Sequence, residues 1–291
     1  MAKRRPPTIH GLAIIDKPAG VTSHDVVSQL RKHLGEKRIG HAGTLDPDAT
    51  GVLLVGVGYV TRLMQFLSGL DKTYIGEVVL GSTTNTLDSA GAVTATFNMS
   101  GVTLDSARDA AAQLTGPIMQ TPPMVSALKV DGVRLHELAR QGIEVERQPR
   151  PVTVYEFEVE STPDPLVLAI RVRCSAGTYV RTLAADLGTL LGGGAHLRNL
   201  RRVAVGEFDV SQARPPLEAQ LLPAITAVRN LTTVVVDDAT ASLVRHGRVL
   251  SAWAGVAPWA LSDDHGSLLA VYEPFGDGQA KPVVVLAEAI A

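Results

Sequence analysis

The stretch Gly40-His41-Ala42-Gly43-Thr44-Leu45-Asp46-Pro47-Asp48-Ala49-Thr50-Gly51 gathers residue types that chemistry needs. Its glycines and proline call for a tight loop with left-handed backbone, and reactive side chains collect on loops anchored to rigid elements. Asp46 is the first candidate. Its carboxylate could serve as a nucleophile or simply cap its own turn, and spacing alone favours the cap. Asp46, Asp48 and His41 are too few for a metal site, and Asp48 after Pro47 reads as a solvated turn residue. Three further segments carry single candidates. Lys17, in Asp16-Lys17-Pro18-Ala19-Gly20, could hold a phosphate or be solvated. Tyr74, in Asp71-Lys72-Thr73-Tyr74, could offer its ring to a base or fill the core, the commoner outcome. The run Ser175-Ala176-Gly177-Thr178-Tyr179-Val180-Arg181 leads from a strand into a helix, where amides could receive an anion and Arg181 could pair with a carboxylate or lie exposed.

Other chemistries are excluded or disfavoured. With Cys174 alone there is no intramolecular disulfide and no thiolate cluster, and the eight histidines lack zinc-binding spacing. Cys174 ends an apolar alternation and reads as a buried structural thiol. Gly56-Val57-Gly58 lacks the third glycine of a dinucleotide fingerprint, and Gly192-Gly193-Gly194 reads as a helix-ending loop. No stretch approaches the ~20 apolar residues of a membrane span, and the basic N-terminus has no apolar signal region behind it, so a cytoplasmic protein is expected.

The elements that must position these residues follow from periodicity. The 291 residues, 45% of them apolar, suffice for one large domain and a small one. Alternating runs predict strands at 12–15, 52–57, 73–80, 153–159, 167–174 and 203–210, the pattern of a mixed α+β protein. Thr22 or Ser23 can cap a helix with Val26, Val27, Leu30 and Leu34 on its apolar face, ended by Gly35. Thr103 precedes a second helix stopped at Gly116-Pro117, and 181–190 reads as a third. Residues 122–151 are bracketed by prolines around a helix-like charged middle, 133–140, and read as an insertion standing off the sheet. A boundary near 228–234 separates a β-rich tail, with a helix at 239–246 and strands near 268–272 and 282–286.

In order, the motifs D-K-P-A-G, G-H-A-G-T-L-D-P-D-A-T-G, D-K-T-Y, S-A-L-K, A-R-Q-G, R-P-V-T-V-Y, S-A-G-T-Y-V-R and G-A-H-L-R-N-L-R-R closely resemble bacterial TruB-type tRNA pseudouridine synthases of the actinobacterial kind. The resemblance runs from about Leu12 to about Phe208. It implies a pseudouridine synthase fold with a mixed, mainly antiparallel sheet over 9–230, a thumb-like insertion at about 122–151, and a small PUA-like C-terminal domain over 231–291. It implies conversion of uridine 55 in the tRNA T arm to pseudouridine, with base flipping and assistance to tRNA folding. Carried over by residue, it makes Asp46 the essential catalytic group. Tyr74 becomes the aromatic that stacks on the target base, Arg181 the partner of the catalytic carboxylate, and Leu200 part of the uracil pocket. His41, Tyr179 and Lys17 join them as substrate-binding candidates, Lys17-Pro18 matching the first conserved turn. Asp48 departs mildly from the family pattern. No cofactor, metal, membrane or protein partner is implied, and a monomer is expected.

The chemistry is consistent with that set. Isomerisation breaks the N1–C1′ bond, rotates the uracil and joins C5 to C1′, with no redox step. Asp46 could attack C1′ or C6 or assist elimination, with Arg181 keeping it ionised. Flipping the nucleotide costs a few kcal/mol, which stacking worth ~1–3 kcal/mol per base offsets. The formal net charge of −2 argues against an evenly basic RNA coat but not against a local groove. The first forty residues set eight lysines and arginines against three carboxylates, whereas the tail after Leu231 sets Arg245, Arg248 and Lys281 against seven. The basic N-terminal region and Arg147, Arg150, Arg198, Arg201 and Arg202 are therefore expected to line the RNA groove. Deleting 235–291 is then expected to weaken tRNA binding only slightly.

Overall fold

The computed structural model describes residues 6–126, 129–130, 133–134, 142–143 and 145–286. The chain forms two compact units, one of Met1–Pro47, Gly51–Leu70 and Glu207–Ala291, the other of Asp48–Thr50 and Asp71–Gly206.

The first unit opens with β1 (Gly11–Lys17), α1 (Ser23–Leu34), β2 (Ile39–Ala42), β3 (Thr50–Val57) and α2 (Met64–Ser68). β3 pairs antiparallel with both β1 and β2. Both long strands are apolar almost throughout because both faces are buried. Thr22 caps α1 in a reciprocal box: its Oγ1 accepts from the Asp25 amide at 3.0 Å and its amide donates to Asp25 Oδ2 at 2.9 Å. Gly35, at φ 64°, ends the helix. Val26, Val27 and Leu30 then pack on Ala13, Ile15, Leu53 and Val55.

The second unit is built on β4 (Lys72–Leu80). β5 (Ser82–Thr84) and β6 (Val93–Thr96) form a small ladder, followed by α3 (Leu104–Gln113), β7 (Gly116–Gln120) and the paired β8 (Lys129–Val130) and β9 (Val133–Arg134). β10 (Arg150–Ser161), β11 (Val167–Cys174), α4 (Val180–Leu190) and β12 (Ala195–Val205) complete it. All its sheet pairings are antiparallel, in the order β12-β4-β11-β10-β7. Tyr74, Val78 and Leu80 of β4 are buried while Ile75 is 38% exposed, so the strand's alternation separates a core face from a solvent face. In the same unit α3 packs against β10 and α4 against β12, and Ala107, Ala110, Leu183 and Leu187 of the two helices are buried.

After the β13 pair (Phe208–Asp209), the first unit closes with β14 (Thr232–Val235), α5 (Asp238–Arg245), β15 (Leu250–Ser251), β16 (Trp259–Ser262), β17 (Leu268–Pro274) and β18 (Gln279–Val285). These strands form a separate sheet, β14-β16-β17-β18-β15, in which only β14 runs parallel to its neighbour. Trp253 packs edge-on against Trp259 and Tyr272 at 6.0 and 5.4 Å between ring centres.

Three expectations are corrected. The helix-like middle at 133–140 begins instead as a strand, Val133–Arg134, paired with Lys129–Val130; residues 135–140 lie outside the described residues. The strand expected at 203–210 lies earlier, Ala195–Val205, so the G-A-H-L-R-N-L-R-R motif is mostly strand. Its arginines hid the pattern because Arg198 pairs across the sheet with Glu77 at 2.7 Å. Gly116-Pro117 does not merely stop a helix; it starts β7.

Candidate active site

In the first unit the loop between β2 and β3 presents Asp46 half-buried between buried Leu45 and Ala49. Gly43 and Gly51 take φ of 76° and 100°, the left-handed conformations that the loop's glycine content implied. The loop is fastened on both sides of Asp46. On one side Ser23, the buried first residue of α1, accepts from the Leu45 amide at 2.9 Å and donates to its carbonyl at 3.1 Å. On the other, the Lys17 ammonium donates to the carbonyls of Pro18, Val21 and Pro47 at 2.9, 2.6 and 2.8 Å, and the Gly20 amide donates to Pro47 at 3.0 Å. Lys17 is 0% exposed. Of the two readings left open for it, phosphate holding or solvation, this burial overturns solvation: its bonds to the carbonyls tie the Pro18–Val21 turn to the loop that carries Asp46. Ser23, passed over as one of two possible caps, is a positioning residue of the loop. His41 sits half-buried on β2 opposite Val55.

In the second unit Tyr74 lies between Val172 of β11 and Arg202 of β12, 8% exposed. Two residues along the same face, Gly76 has no side chain, and Leu200 occupies the space: a Cβ at Gly76 would stand 3.6 Å from Leu200 Cδ1. Leu200 reaches this place through a β-bulge between Arg198 and Arg201, with Asn199 at φ 54°. Tyr74 and Gly76, with Leu200 against it, thus lie on one face of β4.

Arg181, 4% exposed, projects from the first turn of α4 into a polar seat. Its Nη1 donates to the Thr86 carbonyl at 2.8 Å and lies 3.3 Å from Asp88 Oδ2, and its Nη2 donates to the Val125 carbonyl at 2.9 Å. The loop holding Thr86 and Asp88 is set by a Thr86 Oγ1–Asp88 Oδ1 bond at 2.6 Å and by Leu87 at φ 63°. It is pinned to β12 where the Leu197 amide donates to Leu87 at 3.0 Å and the Ser89 amide to Leu197 at 2.9 Å. Tyr179 is the N-cap of α4, half-buried.

Burial, with repulsion from Arg202, lowers the Lys72 ammonium to about 8, and burial raises the Cys174 thiol to about 11. A thiol that high stays protonated at neutral pH, as a structural cysteine should. Arg202, 1% exposed, does not face a groove as expected; the neighbouring Arg201 is half-buried and Arg150 exposed. Among the described residues no cluster of three or more His, Cys, Asp or Glu could hold a metal ion.

Comparison with known proteins supplies a family. The model described as TruB family pseudouridylate synthase (N terminal domain) matches residues 31–180, and tRNA pseudouridylate synthase B C-terminal domain matches 181–227. Proteins named tRNA pseudouridine synthase B are similar over most of the chain. That of Arthrobacter sp. (strain FB24) is 42% identical over 300 residues, covering 96% of this chain and 97% of that protein. That of Mycobacterium leprae (strain TN) is 41% identical over 290 residues, covering 95% and 90%. Among solved structures, a chain of a Cbf5-Nop10-Gar1 complex is similar with TM-score 0.69 and 26% identity, covering 94% of this chain and 83% of that one. A chain of an H/ACA RNP bound to a substrate RNA containing 2′-deoxyuridine is similar with TM-score 0.67 and 25% identity, covering 91% and 78%.

Proposed function

The chain belongs to the TruB family of pseudouridylate synthases, and from that premise we propose that it isomerises uridine 55 in the T arm of tRNA to pseudouridine, with Asp46 as the essential carboxylate. The observation that carries this reading is the Asp46 loop, fastened by Ser23 and by a fully buried Lys17. A reactive group held in place by the fold loses little entropy in the transition state. Asp46 acts at the ribose or the uracil ring while the N1–C1′ bond breaks; the C5–C1′ bond then forms on the rotated base, C5 giving up its proton and N1 gaining one. Every atom is conserved, so no oxidant or energy source enters the step. On the resemblance to the family, Arg181 is the residue assigned to keep the catalytic carboxylate ionised. Tyr74 stacks on the flipped base and Leu200 closes its apolar side, the pairing that their shared face on β4 supports. His41 and Tyr179 contact the flipped nucleotides.

We assign 9–230 to catalysis, 122–151 to the thumb that clamps the T loop, and 231–291 to a PUA-like module, with exposed Arg150 and the basic N-terminal region supplying the phosphate contacts. On the family resemblance we further propose a cytoplasmic monomer that needs no protein partner. Among the described residues no helix is long and apolar enough to cross a membrane. Asp46→Asn tests the site. Incubated with an unmodified tRNA transcript and with a T-arm stem-loop, without metal or cofactor, it should form pseudouridine at least about 10³-fold more slowly than the parent while binding RNA as well. Unchanged formation, or modification mapped to another nucleotide, overturns the assignment. Retained binding without chemistry also separates catalysis from assistance to tRNA folding.

A further inference from the structure

Helix α4 carries Arg181 in its first turn, yet its N-cap, Tyr179, makes no side-chain capping bond. The helix start is held from another strand. Gln120, last residue of β7 and 2% exposed, accepts from the Tyr179 amide through Oε1 at 2.8 Å and donates through Nε2 to the Tyr179 carbonyl at 3.1 Å. One side-chain amide thus reproduces the two bonds of a strand pair. The chain leaving Gln120 passes through Pro122 and Pro123, both buried, to Val125, whose carbonyl accepts from Arg181 Nη2. Prolines fix φ, so the path from Gln120 to that carbonyl is short and stiff. Residues 120–125 therefore grip α4 twice, at the main chain of Tyr179 and at the guanidinium two residues later.

We propose that Gln120 is a positioning residue for the isomerisation: it sets where α4 begins and where the Val125 carbonyl stands, and through both it aims Arg181. Gln120 itself touches no substrate. The inference rests on the role given to Arg181 above. It also places the control point at the root of the 122–151 insertion, so that the aim of Arg181 and the fold of that root are one mechanical unit.

The test uses the full-length chain and an unmodified tRNA transcript, with single-turnover rates at saturating enzyme and binding measured separately. Gln120→Leu removes both side-chain bonds to the Tyr179 main chain, while the Thr182 and Leu183 amides still donate to the Tyr179 carbonyl. The expected result is a rate reduced about 10- to 100-fold, the scale of a displacement of about 1 Å at a catalytic group, with the tRNA Kd within about threefold of the parent. Gln120→Glu, nearly isosteric, keeps the acceptor for the Tyr179 amide and loses the donor to its carbonyl; it should fall between, and it carries the test if the leucine variant does not fold. Arg181→Lys completes a cycle. If Gln120 acts through Arg181, Gln120→Leu should cost little more in the Arg181→Lys background. A parental rate for both Gln120 variants, a loss confined to Kd, or losses that multiply in the double variant would each overturn the proposal. A parental rate for Arg181→Lys would instead overturn the role of Arg181, so the two failures are distinguishable.

Discussion

Lys17→Met keeps the hydrocarbon stem and deletes the ammonium. Three bonds are lost, to Pro18, Val21 and Pro47, and hydrogen bonds from a charged donor contribute about 1.5–3 kcal/mol each. The gross loss is therefore about 4.5–9 kcal/mol. Two effects offset it. Methionine escapes the penalty of several kcal/mol for keeping an ammonium out of water, and Pro18 and Pro47 are exposed residues whose carbonyls water can reach. The remainder is a destabilisation of about 2–4 kcal/mol, or a fall in Tm of roughly 5–15 °C for a chain of this size. Because Pro47 directly follows Asp46 in the loop, the rate per folded molecule should fall as well, while tRNA affinity and its salt dependence stay unchanged. Calorimetric melts, single-turnover rates and Kd measured across a salt series decide the matter. If Lys17 instead met a phosphate, Tm would stay within about 1 °C and the slope of log K against log salt would shrink by about one unit. That pair of results would refute the clamp.

Other outcomes follow from neighbouring features. At Gly76 the nearest atoms to an added Cβ are 3.4–3.6 Å away, so Gly76→Ala should keep kcat/KM within about threefold; Gly76→Val drives methyls into Leu200, an overpacking of about 1–3 kcal/mol that should cost roughly 10- to 100-fold, and equal activity of the two variants would count against the pocket. Lys72 holds its proton to about pH 8 in the folded protein against 10.5 when free. Between those values the unfolded chain binds more protons, so the contribution of this site to stability rises with pH; below about 8 both states are charged and the cost of burying the charge is constant. The Tm advantage of Lys72→Met over the parent should therefore be smaller at pH 9.5 than at pH 7, and a gap independent of pH would show that Lys72 is not the titrating group.

What was legible in the sequence depended on whether one residue or a distant pair carried the signal. α1 could be read because its cap, apolar spacing and terminal glycine lie within one segment, and 167–174 matched β11 residue for residue because its alternation is unbroken. The Asp46 loop announced itself through glycines whose positive φ the structure requires. The β5–β6 ladder gave no such signal: β6, only four residues long, is exposed throughout. β12 was misplaced because arginine stems fill strand positions that a hydropathy pattern assigns to apolar residues. Lys17 and Arg202 share this cause, since a buried cation is recognisable only once the carbonyls or strands around it are known. Gln120 and Ser23 act on residues 59 and 22 positions away, Tyr179 and Leu45, and no local pattern encodes such a partnership.

The bulge in β12 also decides between two adjacent arginines. Pairing on either side runs from Arg198 opposite Glu77 to Arg201 opposite Ile75, so β12 spends one residue more than β4 over that interval. Strand side chains alternate with period two, and a single extra residue inverts the parity of the residues beyond it, here up to the next register shift, between Arg202 and Ala204. Without it Leu200 would turn to solvent, Arg201 would go inside and Arg202 outside. The left-handed turn at Asn199 is thus a sorting step: it sends one guanidinium inward beside Tyr74 and leaves its neighbour on the opposite face, a division that composition alone could never express.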